Sequence, residues 1–147
     1  MFFATHLKRL GLILSCAVLL AACGRSDPQA ALDAAVGNLQ AALEKKDTGA
    51  AMALLHPDFA GQQPEDNREW AKKTMTLMFL RHKNIQIIAP LQKSWIDPQV
   101  STRAFTDAQV TLTGAEGLIP DSARQYRVTL EWRRLDKEWQ LIRLQWE

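Results

Sequence analysis

Apolar positions recur along the chain with two periods, and the change from one to the other near Asn84 divides it. Leu32, Val36, Leu39 and Leu43 fall at helical spacing with Ala31, Ala35 and Ala42 beside them. They form one stripe with a buried face. Asp27 is placed to cap this helix and Pro28 suits its first position. Asp47 and Thr48 can cap a second, short helix that carries Met52 and Leu55 inward and stops at His56 and Pro57. Asp58 and Phe59 follow in a turn, with Phe59 directed to the core. A third helix is predicted from Pro64, with Glu65 and Asp66 in its first turn and Arg81, His82 and Lys83 in its last, the charge order that suits a helix dipole. Trp70, Thr74, Leu77, Met78 and Phe79 give it a broad apolar side.

Beyond Asn84 the period is two. Ile85, Ile87, Ala89 and Leu91 alternate with mainly polar neighbours, and Pro90 marks that strand as an edge strand or a bulged one. A turn at Asp97 and Pro98 follows Trp95 and Ile96. The next strand, about Val100 to Thr113, puts Ala104, Thr106, Ala108, Val110 and Leu112 on one side and Arg103, Asp107, Gln109 and Thr111 on the other. Gly114 to Ser122 reads as a loop with two Gly and a Pro.

Tyr126 to Glu147 closes the chain as two long strands joined by a tight turn. Pairing Leu135 with Trp139 across Asp136, Lys137 and Glu138 sets Trp132 opposite Ile142, Leu130 opposite Leu144 and Val128 opposite Trp146, all on one face. The other face then holds the charge pairs Glu131 with Arg143 and Arg127 with Glu147. A two-residue turn would place Trp132 opposite Leu141 and Leu130 opposite Arg143, splitting the apolar set, so the three-residue turn is expected. On that register Trp139 and Leu141 lie on the charged outer face. There they suggest contact with another chain, a second copy included, or with a covering loop, and are the candidate interface residues.

The first 22 residues differ in kind. A basic start in His6, Lys8 and Arg9 precedes an apolar run from Leu10 to Ala22, too short to span a bilayer of ~30 Å and suited to a secretory signal. The run ends Leu20, Ala21, Ala22, Cys23, which resembles the lipobox of bacterial lipoproteins. That resemblance implies cleavage before Cys23, diacylation of its thiol, a tether over 23–27 and a domain over 28–147. Gly24 stands where lipoproteins held in the inner membrane commonly carry Asp, so the periplasmic face of the outer membrane is the expected address.

Removal of the signal takes Lys8 and Arg9 with it, leaving sixteen basic residues against sixteen acidic ones from a precursor of net charge +2. A nucleic-acid partner thereby loses its electrostatic support. Cys16 is discarded and Cys23 is consumed by lipid, so the domain keeps no thiol for a disulfide, a metal or nucleophilic catalysis. His56 and His82 are far apart, and the chain has no HExxH, paired-Cys, GxSxG or glycine-rich phosphate motif, so neither metal nor cofactor is expected.

The order of elements, with AALEKKDTGAAMALLHPDF, the long third helix and RRLDKEWQLIRLQW as its signatures, resembles the nuclear transport factor 2-like, or SnoaL-like, superfamily. The resemblance implies an α+β fold of three N-terminal helices packed on a curved four-stranded antiparallel sheet, a cone of the cystatin-like kind. Such a cone serves as an enzyme site, a ligand pocket or a filled core used for association. Trp70, Tyr126, Trp132 and Trp146 are the candidate pocket wall, although core packing also accounts for them. His82 and Asp107 are the candidate ionisable groups, while capping and turn formation account for His56 and Asp58. With no coherent catalytic constellation, the expected function is a membrane-tethered lipoprotein whose domain binds a small apolar ligand or an envelope protein. A small isomerase, dehydratase or hydrolase with an Asp or His in the cone is the alternative.

Overall fold

The computed structural model describes residues 27–113 and 124–147. The expected signal peptide, the expected lipidation site at Cys23, the expected tether as far as Ser26 and the loop expected at Gly114 to Ser122 lie outside the described residues. The elements are α1 (Pro28–Glu44), α2 (Thr48–Ala53), β1 (Leu55–Ala60), α3 (Arg68–Arg81), β2 (Gln86–Ile96), β3 (Arg103–Thr113), β4 (Arg124–Leu135) and β5 (Glu138–Trp146).

Helix α1 begins where its cap requires. The Asp27 carboxylate accepts the backbone N–H of Gln29 at 3.0 Å, and Pro28 occupies the first turn, where a missing N–H costs nothing. Its end is closed by Lys46, which adopts φ 57° while the N–H groups of Lys46 and Asp47 return to the carbonyls of Leu43 and Ala42. The Lys46 ammonium then donates to the carbonyls of Phe79 and His82. Those bonds tie the end of α1 to the end of α3.

Helix α3 starts later than its charge pattern predicts. Residues 61–66 form a closed turn instead of a first helical turn: Gly61 N–H donates to the Asp66 carbonyl, and the buried Asp66 carboxylate accepts the Gln63 N–H at 2.9 Å. A Cβ on Gly61 would stand 2.5 Å from the Asp66 Cβ, so the closure requires glycine there. Asn67 is the residue that caps the helix, its side-chain oxygen accepting from Glu69 and Trp70.

The sheet has five strands, not the expected four, and it is mixed. Its order is β1-β5-β4-β3-β2, with β1 parallel to β5 and every other neighbouring pair antiparallel. The extra strand is Leu55–Ala60, the His-Pro-Asp-Phe stretch expected as a helix stop and turn. Pro57 is tolerated because β1 is an edge strand, paired only irregularly at Leu55 with Leu141 and Ala60 with Arg143. At the other edge, β2 carries an irregularity between Ile88 and Leu91, across Pro90.

The hairpin corrects the predicted register. Leu135 pairs with Glu138 across a two-residue turn in which Asp136 takes φ 55°, a conformation that Asp tolerates better than most side chains. Trp132 accordingly faces Leu141. An irregularity between Glu131 and Trp132 then leaves Ile142 as the extra residue on β5, so Glu131 meets Arg143, Leu130 meets Leu144 and Val128 meets Trp146. The bulge reconciles a two-residue turn with an unbroken apolar face. It also turns Trp139 and Leu141 inward.

One side of the sheet is the core. Leu32, Ala35 and Val36 of α1 pack with Leu55, Phe59, Ala104, Trp132, Trp139 and Leu141, and Ala71 of α3 closes against the same cluster. Arg68 holds the α2–β1 corner by donating to the carbonyls of Leu55 and Met52.

Candidate functional site

Strand parity gives each face of the sheet a distinct chemistry. The inner face is apolar and internally satisfied at its closed end. Trp132 is 0% exposed, and its indole N–H donates to the Thr106 hydroxyl at 3.1 Å. Thr106 in turn shares a hydrogen bond with Ser94 at 2.9 Å. The Trp139 indole donates to the Pro28 carbonyl at 3.0 Å, which pins the start of α1 to the sheet.

The four candidate wall residues separate. Trp132 is buried core, whereas Trp70 of α3 and Trp146 of β5 are half-buried and stack on each other with centroids 6.2 Å apart and planes 7° apart. Tyr126 is half-buried opposite Val110, toward the other end of the inner face from Trp132. Asp107 lies on the opposite face, exposed, accepting from the Thr129 hydroxyl at 3.0 Å. An acid on one side of a sheet and a phenol on the other cannot share a proton, so Asp107 and Tyr126 do not form a catalytic pair. His82 closes the end of α3, donating its backbone N–H to the Met78 carbonyl. His56 is buried beside the β1 edge, where its Nδ1 accepts the Asp58 backbone N–H at 3.0 Å. That bond makes His56 part of a turn.

Trp139 and Leu141 are each 2% exposed, which corrects their reading as candidate interface residues on the outer face. They are covered by the chain's own first helix.

The outer face carries a different aromatic pair. Trp95 of β2 stands opposite Phe105 of β3 with centroids 5.7 Å apart, both half-buried. Lys93 lies over the Trp95 ring at 5.7 Å and Arg103 over the Phe105 ring at 5.6 Å. The same cross-strand row continues to Glu131 and Arg143, whose side chains pair at 3.7 Å. Sequence reasoning missed the pair. Its signal was present in the shared outer parity of Phe105 with Arg103 and Asp107.

Arg103 also joins the outer face to the β2–β3 turn, its Nε donating to Asp97 at 2.8 Å. The nearly buried Asp97 carboxylate is held below the ordinary value of 3.8, first by the Gln99 N–H, then by the Arg103 side chain and the Val100 N–H, with burial acting the other way. A carboxyl depressed in the folded state stabilises above its unfolded value, and that contribution is lost as pH falls through the folded value. Asp97→Asn is therefore expected to flatten the acid limb of stability below about pH 4. Urea midpoints measured against pH for both proteins check this, and parallel curves would contradict it.

Two surface grooves complete the description. One of about 480 Å³ runs along α3 between Glu69, Lys72, Lys73, Thr76, Leu77 and Leu80. The other, about 320 Å³, lies among Gln62, Arg127, Thr129, Gln145, Trp146 and Glu147. Neither includes Tyr126 or Trp132 in its lining. Among the described residues no group of three or more His, Cys, Asp or Glu is placed to hold a metal ion, and no helix is long and apolar enough to cross a membrane.

No protein-family model matches the chain. No curated protein matches it either. Solved structures do. Bd1075 of Bdellovibrio bacteriovorus superposes with a TM-score of 0.67 at 11% identity over 78% of this chain, which spans only 38% of that protein. A Streptomyces avermitilis protein, provisionally named a dehydratase of the NTF2-like family, gives 0.67 at 14% identity, covering 78% of this chain and 91% of the other. A Caulobacter vibrioides protein with a cystatin-like fold gives 0.67 at 12% identity, with 82% and 89% covered. At such identities the likeness is one of fold, and the fold of the described residues is NTF2-like.

Proposed function

We propose that this protein is a lipid-anchored envelope protein whose NTF2-like domain works by binding a protein partner, and that the partner engages the outer face of the sheet. The observation that carries this reading is the contrast between the two faces. Inside, the indole nitrogens of Trp132 and Trp139 already have acceptors, and Trp132 leaves no accessible surface. Outside, Trp95 and Phe105 keep accessible aromatic area flanked by Lys93 and Arg103, a composition suited to a protein contact. The lipobox ending in Cys23 supplies the anchor, and the outer membrane's periplasmic face remains the proposed location. A small apolar ligand in the cone gains less support, since Trp132 is fully buried and, of the candidate wall residues, Trp146 alone lines either groove.

The alternative, an isomerase, dehydratase or hydrolase, draws support from the naming of structural neighbours, one of them provisionally a ketosteroid isomerase from Shewanella frigidimarina. The exposed outer-face position of Asp107, away from Tyr126, favours the binding reading instead.

A photo-crosslinking residue placed at Gln109, exposed on the outer face, tests the reading in living cells. The expected result is a discrete adduct that Phe105→Glu abolishes while the domain stays folded. An adduct of twice the monomer mass would identify a second copy as the partner. Indiscriminate adducts that Phe105→Glu leaves unchanged would overturn the outer face as the binding surface.

A further inference from the structure

The end of the domain that carries the anchor has exposed apolar residues of its own. Three features converge there. The Pro28 carbonyl at the start of α1 accepts from Trp139, the second residue beyond the β4–β5 turn, and the Gln29 side chain donates to the Ser94 carbonyl near the end of β2. The β2–β3 turn is joined to the β4–β5 hairpin by the Arg134 N–H, which donates to the Thr102 carbonyl. Both hairpin turns and the first residue of the helix therefore share one end of the sheet. Each turn has an exposed aliphatic side chain, Val100 within the first and Leu135 at the strand end beside the second, both at 41%.

We infer that these two turns rest on the phospholipid headgroups, so that the strands stand away from the membrane. This rests on the anchor reading above, because Cys23 sets the distance. Four peptide units separate its Cα from that of Asp27, so the start of α1 lies within roughly 14 Å of the acylated residue even when the tether is fully extended. A tether that short brings the turns against the surface to which the lipid is fixed. Cations at this end include Arg133, Arg134 and Lys137, which are matched by the exposed Asp27, Asp136 and Glu138, while Arg103 pairs with Asp97. The contact is thus apolar and tether-driven, and it should persist in salt. The nine residues of β5 then carry Trp146 and the far end of the sheet roughly 30 Å outward. The outer face of the sheet then stands upright, with Trp95 and Phe105 in its membrane-proximal part.

The full chain, produced with its signal in a bacterial host and purified in detergent, can be reconstituted into phosphatidylethanolamine and phosphatidylglycerol vesicles containing headgroup-spin-labelled lipid. A fluorophore is attached through Leu135→Cys, or through Val100→Cys as a second position in the same end. Leu80→Cys, 80% exposed near the Lys46-bound end of α3, serves as the distal reference. Mass spectrometry of the amino-terminal peptide reports acylation of Cys23 independently. Quenching at 135 and 100 severalfold greater than at 80, and unchanged by added salt, is the expected result. Equal quenching at all three positions on a protein acylated at Cys23 would overturn the orientation and leave the anchor standing. An unacylated Cys23 would overturn both.

Discussion

Trp132→Ala is expected to lower the unfolding free energy by about 3–5 kcal/mol, the range for deleting a large aromatic side chain from a closed core. Trp132 is 0% exposed and lies opposite Ala104 on one side and Leu141 on the other, so its removal leaves a cavity that these strand partners, fixed by the ladder, do not fill. Its loss also removes the indole donor to Thr106, although Thr106 keeps Ser94 as a partner and is not left unsatisfied. For that reason Trp132→Phe should cost much less, about 1–2 kcal/mol, combining a smaller volume change with one lost hydrogen bond. Urea unfolding followed by circular dichroism separates the two variants. A cost below about 1 kcal/mol for the alanine variant would mean that this end of the cone is loosely packed. A ligand pocket would then return as the better functional reading.

The same residue shows how far the sequence could be read. Strand parity places Ala104, Thr106, Ala108, Leu130 and Trp132 on one face without any structure, because a period of two over eleven residues admits one arrangement. The first helix was equally legible, since Asp27, Pro28 and its apolar stripe agree on start and face. β1 was not. The strand it pairs with among the described residues is β5, more than eighty residues on, and a six-residue strand interrupted by Pro57 has no local periodicity to reveal a non-local pairing. Asp136 in a left-handed turn was also hidden, because Gly and Asn are the expected occupants and Asp is a poorer one.

The bulge at Ile142 lies between these cases. Apolar residues occupy odd positions at Trp139 and Leu141, then even positions at Ile142, Leu144 and Trp146. A regular strand cannot bury both sets on one face, and one inserted residue can. Reading that change of parity as two faces instead of one bulge assigned Trp139 and Leu141 to the surface. The outer-face position of Trp95 was hidden by a second irregularity: unbroken alternation from Ile85 through Leu91 would carry Trp95 inward, and the shift in register between Ile88 and Leu91 turns it outward beside Phe105.

Trp139→Glu decides between those two readings of the hairpin. With Trp139 on an exposed face, the substitution would leave the fold intact and change only the mass of the assembly. In the bulged register it puts a carboxylate into a space that is 2% exposed, removes the donor from the Pro28 carbonyl and detaches the start of α1 from the sheet. The expected cost is about 5 kcal/mol or more, from the lost aromatic volume together with a charge buried without a partner. That is comparable with the whole stability of many domains of this size. The variant should lose its cooperative urea transition, whereas Trp139→Phe, which keeps most of the volume, should fold with a modest shift in midpoint. Arg134, whose guanidinium lies 5.9 Å from the Trp139 ring centroid, does not rescue the glutamate, because a salt bridge at this depth must first offset the desolvation of both charges. Sedimentation of the folded fraction completes the test. A well-folded Trp139→Glu protein of altered mass would restore the unbulged hairpin and its outward interface. An unfolded one confirms Trp139 as core and couples the fit of the first helix on the sheet to the single extra residue at Ile142.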